Sequence, residues 1–198
     1  MKIIGITGGV GAGKSEILSF IRGNYSCEIY LADEVAHKIK EKGEPCYEQL
    51  VTLLGREILD EDGQINKLKM AAIIFEDEKI LKKVNEIIHP GVKEYILARI
   101  REAKEKQEVK LFFIEAALLI EAGYQEIVDE LWYIYADKDV RIKRLQEHRG
   151  YSREKIDQIM NNQLSEEIFF KTCDFVIDNS GKIEDSYNQI QNKLRGYC

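Results

Sequence analysis

The sequence predicts a three-layer α/β protein built on a mostly parallel five-stranded sheet. Short apolar, β-rich runs recur along the chain, helical patterns separate them, and one long interval between two runs is itself helical in pattern. The runs are KIIGIT (2–7), CEIYLA (27–32), KLFFIEA (110–116), LWYIYA (131–136) and DFVID (174–178). They are continuously apolar, as strands covered on both faces of a parallel sheet must be. After the first run, SEILSFIRGN (15–24) gathers Ile17, Leu18 and Ile21 on one helical face. Nearly eighty residues separate the second and third runs, far more than a crossover needs. Within them DEDG (60–63) signals a turn, IIHPG (87–91) offers Pro90 as the start of a new helix, and GVKEYILARIREAKEKQ (91–107) spaces Val92, Ile96 and Ile100 four apart.

These features divide one domain of 198 residues into a core (about 1–40, 107–137 and 173–198), a helical insertion (about 41–106) suited to holding substrate, and a helical lid (about 138–165). A net charge of −6 argues against an extended nucleic-acid surface. No apolar stretch reaches membrane-spanning length, and MKIIGITGG lacks the pattern of a signal peptide. Cys27, Cys46, Cys173 and Cys198 form no CxxC pair and read as reduced thiols, so a cytoplasmic protein without nucleic-acid or membrane partners is expected.

The strongest local signal is ITGGVGAGKSEI (6–17). Gly8, Gly13, Lys14 and Ser15 fit Gly-x-x-x-x-Gly-Lys-[Ser/Thr], placed after a strand and opening a helix. Glycines let the backbone turn its N–H groups onto a phosphate, the helix dipole adds positive potential, Lys14 reaches the β- and γ-phosphates, and Ser15 can ligate Mg²⁺. The pattern predicts a P-loop NTPase fold that binds a nucleotide's phosphates with Mg²⁺, and by itself it does not separate ATPases, GTPases and small-molecule kinases. A GTPase Asn-Lys-x-Asp motif is missing, and the short chain with its insertion favours a monomeric small-molecule kinase. Asp33, at the end of the second run, reads either as the base that accepts a hydroxyl proton or as an N-cap for the following helix.

With those residues in view the chain resembles the dephospho-CoA kinases, which use ATP to phosphorylate the ribose 3′-hydroxyl of dephospho-CoA in the last step of coenzyme A synthesis. The resemblance spans TGGVGAGKS (7–15), ADEVAHKI (32–39), KGEPCYEQL (42–50), DGQINKLKMAAIIF (62–75), IIHPGV (87–92), ALLIEAGY (117–124), KRLQEHRGYSREKIDQIMNNQ (143–163) and CDFVIDNSG (173–181). It implies Asp33 as catalytic base, with Lys14 and Arg144 (a lid residue) on the transferring phosphate. It implies Gly9, Val10, Gly11, Ala12, Gly13, Lys14, Ser15 and Glu16 around the ATP phosphates, with Asn179 and Gly181 near the adenine. His89, Leu118, Leu119 and Glu121 would lie by the substrate. Without the resemblance, His89 reads as a helix-start or packing residue, Leu118 and Leu119 as strand-end core, and Arg144 as part of a solvated face.

The chain departs from the family pattern in places. Leu31 replaces the first aspartate of Asp-Ala-Asp, and Glu115 and Ala117 replace an aspartate and a proline. Lys67 and His148 stand where arginine is common, and Glu16 where threonine is usual. Glu115 keeps a carboxylate that can hold Mg²⁺ directly or through water. Two rival readings remain at this stage: a P-loop kinase for a nucleotide, nucleoside or sugar acid, and a nucleotide-binding protein without catalysis.

Overall fold

All five apolar runs form strands: β1 (Lys2–Thr7), β2 (Cys27–Leu31), β3 (Leu111–Glu115), β4 (Glu130–Tyr135) and β5 (Phe175–Asp178). This computed structural model describes residues 1–197; Cys198, counted above among the reduced thiols, lies outside the described residues. The sheet order is β2-β3-β1-β4-β5, and the β1–β3, β1–β4 and β4–β5 pairings are parallel. Ile4 and Ile6 of β1, Phe112 and Phe113 of β3, and Trp132 and Ile134 of β4 are wholly buried. Consecutive residues such as Phe112 and Phe113 are both buried, so these strands are covered on both faces and no side chain needs to alternate toward water. The register sets Ile6 beside Glu115, bringing the carboxyl ends of β1 and β3 together where the glycine-rich turn begins.

The chain forms two compact units, Tyr30–Glu105 and the remainder. The larger contains most of the sheet with α1 (Lys14–Asn24), and its α1 buries Ile17, Leu18 and Ile21 as the spacing requires. The helices later in the sequence are α6 (Lys138–Arg149), α7 (Arg153–Asn161), α8 (Glu166–Thr172) and α9 (Ile183–Leu194). The smaller unit is helical: α2 (Ala32–Lys38), α3 (Tyr47–Leu54), α4 (Lys67–Glu76) and α5 (Glu78–Lys106). Asp60–Gly63 is the expected turn, with Gly63 N–H donating to Asp60 O at 2.9 Å. Asn66 caps α4 by accepting from Leu68 N and Lys69 N.

Pro90 starts no helix; it lies inside the 29-residue α5. Proline removes the bond to the carbonyl four residues back, that of Glu86. Glu86 and Pro90 are both exposed, so that carbonyl is on the side where water can replace the lost donor. Buried Val92, Ile96 and Ile100 carry the helix onward.

Candidate active site

The turn between β1 and α1 bends where the glycines allow it. Gly11 and Gly13 take φ of +80° and +91°, a region costly for other residues. At Gly9, a β-carbon would collide with the Arg141 guanidinium. That guanidinium is buried: its Nε donates to Val10 O at 2.9 Å, and Nη2 donates to Gln163 Oε1 at 2.9 Å. Gln163 Oε1 also accepts from Val10 N at 3.2 Å. On the loop's other flank, Asn179 Nδ2 donates to Ala12 O at 2.8 Å, and Asn179 Oδ1 accepts from Ser186 of α9 at 2.9 Å. Arg144 Nη2 donates to Asn179 O at 2.8 Å, while Nη1 makes a long 3.5 Å contact with Ala12 O.

Arg141 and Arg144 of α6, Gln163 and Asn179 thus fix the loop from outside, through the carbonyls of Val10 and Ala12 and the amide of Val10. The hydrogen-bond ladder of α1 opens with Glu16 N and Ile17 N donating to Gly13 O, so the amides of Lys14 and Ser15 precede it and add to the positive end of the helix dipole. Lys14 Nζ donates to Gly8 O at 2.8 Å and stands 3.7 Å from Glu115 Oε1, with both side chains largely enclosed. This concavity suits a polyphosphate. Ser15 is exposed beside it, and Glu16 accepts a hydrogen bond from Tyr187 Oη at 2.8 Å. The oxygen donors Ser15 and Glu115 fit Mg²⁺, which takes one or two carboxylates and fills its sphere with phosphate and water.

The remaining expected residues separate by burial. Leu119 is wholly buried and closes over Gly5, where it packs as strand-end core. Its neighbour Leu118 is half exposed, and Glu121 is exposed. Gly181 is exposed in the turn before α9. Asn179 is only 2% exposed and its amide is engaged at both ends, so it acts on the loop itself.

In the helical unit, Asp33 is not an N-cap. The cap position of α2 is Leu31, and Asp33 is the second helical residue, with an exposed side chain. His89 is exposed in mid-helix along a shallow groove with Leu81, Asn85 and Pro90, neither a helix start nor a packing residue. Sequence reasoning missed Arg141, Gln163 and Ser186. A signal for Arg141 existed: it precedes Leu145 by four residues, on the face where Ile142 and Leu145 are buried.

A phosphate loop of this form, opening a helix beside the carboxylate-bearing end of an adjacent parallel strand, defines a P-loop nucleotide-binding protein. The profile of the dephospho-CoA kinase family matches residues 2–185, and the chain belongs to that family. The dephospho-CoA kinase of Aquifex aeolicus is 39% identical over 191 residues, covering 96% of this chain and 95% of that one. That of Carboxydothermus hydrogenoformans is 36% identical, covering 98% and 94%. Among solved structures, TT1252 from Thermus thermophilus superposes with a TM-score of 0.80 at 26% identity, covering 100% of this chain and 98% of that one. A shikimate kinase from Acinetobacter baumannii shares the fold alone, with a TM-score of 0.52 at 11% identity, over 99% and 94% of the two chains. The chain is therefore an ATP-dependent kinase of dephospho-CoA, acting at the final step of coenzyme A synthesis.

Proposed function

We propose that the chain performs direct, in-line transfer of the γ-phosphoryl group of ATP to the ribose 3′-hydroxyl, with its residues divided between holding charge and moving one proton. The observation that carries this is the enclosed Lys14, held between Gly8 O and Glu115 at the mouth of the glycine loop. Lys14 exchanges these partners for the β- and γ-phosphates, and the amides of Gly11, Gly13, Lys14 and Ser15 receive the remaining oxygens. Ser15 and Glu115 would hold Mg²⁺, which when bound neutralises phosphate charge. Arg144 has fork capacity left over, because one of its two bonds is long. It turns that capacity to the moving phosphoryl group as α6 and α7 close and exclude water. Asp33 orients the 3′-hydroxyl and takes its proton as the new P–O bond forms. Gly181 lies by the adenine, while Asn179 acts by holding the loop that carries the phosphates. His89, Leu118 and Glu121 are read as acceptor contacts, and the working form as a cytoplasmic monomer. Purified protein given Mg·ATP and dephospho-CoA should yield coenzyme A by mass spectrometry. Lys14→Ala should yield almost none and lose most of its thermal stabilisation by ATP. Undiminished stabilisation of that variant would remove Lys14 from the phosphate site.

A further inference from the structure

Val10 of the phosphate loop is held at three points, and all three belong to the paired helices α6 and α7. Its carbonyl accepts from Arg141 Nε, in the first turn of α6. Its amide donates to Gln163 Oε1, two residues past the end of α7. Its side chain packs on Ile142, Leu145 and Ile156, the buried cluster through which the two helices meet. Arg141 Nη2 donates to the same Gln163 oxygen at 2.9 Å. Two donors converge on that atom, so only an acceptor can stand there. The root of α6 and the end of α7 are thus joined to each other and to a single residue of the loop.

That residue precedes Gly11, where the loop takes its first positive φ. The Val10 amide is committed to Gln163, which leaves the phosphates to the amides that follow it. Phosphates that order Gly11 through Ser15 therefore also fix Val10, and through Val10 both roots of the helix pair. α6 carries Arg144 three residues after Arg141, so the same attachment sets where the Arg144 fork stands. We propose that the loop and the α6–α7 pair are energetically linked, with Gln163 as the positioning residue that joins them; this rests on the loop binding nucleotide phosphates. Nucleotide in the loop stabilises the helix pair, and by reciprocity a docked pair tightens the loop on nucleotide. Static support of the loop by the same bonds would act equally with and without nucleotide, so the two roles differ in what nucleotide does at α7.

The test is amide hydrogen exchange in α7 of the full chain, with and without saturating ADP, beside calorimetric ADP binding. Gln163→Glu keeps an oxygen for both donors and turns its charge to the Arg141 guanidinium, whereas Gln163→Leu removes the acceptor at similar size. ADP should slow exchange in α7 at least about fivefold in the parent and in Gln163→Glu. In Gln163→Leu the slowing should fall below about twofold, and ADP should bind at least about fivefold more weakly. Val10→Ala keeps both backbone bonds and withdraws the side chain from the cluster, so it should lose part of the slowing, and it reads the link where Gln163→Leu does not fold. Parent-like slowing in Gln163→Leu and Val10→Ala, or in Val10→Ala alone where the other does not fold, would overturn the link and leave the nucleotide site intact. So would ADP that binds the parent without slowing α7. Loss of the slowing in Gln163→Glu as well would overturn the part assigned to the Gln163 oxygen. A parent that binds neither ADP nor ATP would overturn the reading of the loop itself, and this proposal with it.

Discussion

Asp33 and Arg144 are both charged, and the structure separates what each does for the fold from what each is proposed to do for the reaction. Because Leu31 holds the cap position of α2, Asp33→Asn loses no cap. It loses only a favourable charge near the helix N-terminus, worth about 0.3–1 kcal/mol at an exposed site. If Asp33 is the base, kcat and kcat/KM should fall together by at least about a hundredfold, with melting and ATP binding close to the parent. Steady-state kinetics beside a melting curve reads this directly, and an Asn variant keeping more than about a tenth of parental kcat places the base elsewhere. Arg144→Lys tests geometry at constant charge. One ammonium cannot satisfy Asn179 O and a phosphate oxygen as a fork does, so kcat should fall more than the KM for ATP rises. A parental kcat would reduce Arg144 to a support for Asn179. At this scale, legibility follows locality. Gly11, Gly13 and Lys14 were readable because a positive φ and a reaching amine are requirements of a few adjacent residues. Arg141 offered only its spacing from Leu145, since its partners Val10 and Gln163 come from distant parts of the chain, and an arginine on a charged helix otherwise looks solvated.

The same distinction governs the elements. Every strand was legible within about one residue, because a strand buried on both faces leaves an unbroken apolar run. α5 was misread at Pro90 because a proline's effect depends on whether the carbonyl it abandons can reach water, and that is a property of the packed unit. The residue after it shows the constraint from the other side. A β-carbon at Gly91 would run into the Cys46 Sγ, which precedes α3 and is itself buried, and would press on Ile39 at 3.2 Å. In an open helix, glycine to alanine gains up to about 1 kcal/mol. Here overpacking should reverse the sign, so Gly91→Ala should destabilise by about 1–3 kcal/mol. Cys46→Ala should recover part of that loss when combined with it, since the two sites share one contact. Urea denaturation of the single variants and the pair measures the coupling. Strictly additive effects would mean that the helices already separate enough to admit a methyl group.

For the molecule as a whole, one carboxylate joins segments that are far apart in sequence. Glu130 opens β4 next to β1. Its Oε1 accepts from Tyr197 Oη and pairs with Lys2 at 3.2 Å. Its Oε2 accepts from Trp132 Nε1 at 3.0 Å and pairs with Lys193 of α9 at 3.2 Å. Burial alone would raise this carboxyl, but the hydrogen bonds from Tyr197, Trp132, Lys193 and Lys2 outweigh it and hold the pKa at about 2, against an ordinary 4.5. A pKa depressed by folding means that the unfolded chain binds the proton more readily. The group therefore contributes its full stability above about pH 4.5 and loses it as pH falls toward 2. With screening by nearby solvent allowed for, the contribution is on the order of 2 kcal/mol. Glu130→Gln keeps the shape and one acceptor oxygen and removes the charge. Other carboxylates titrate in both proteins, so the difference between parent and variant isolates this one. In urea denaturation from pH 7 downward, the variant should be less stable by about that amount near neutrality. The difference should shrink below pH 4.5 and nearly vanish by pH 2. A difference of constant size across that range would mean that Glu130 joins these segments by shape and neutral hydrogen bonding, with its charge contributing nothing.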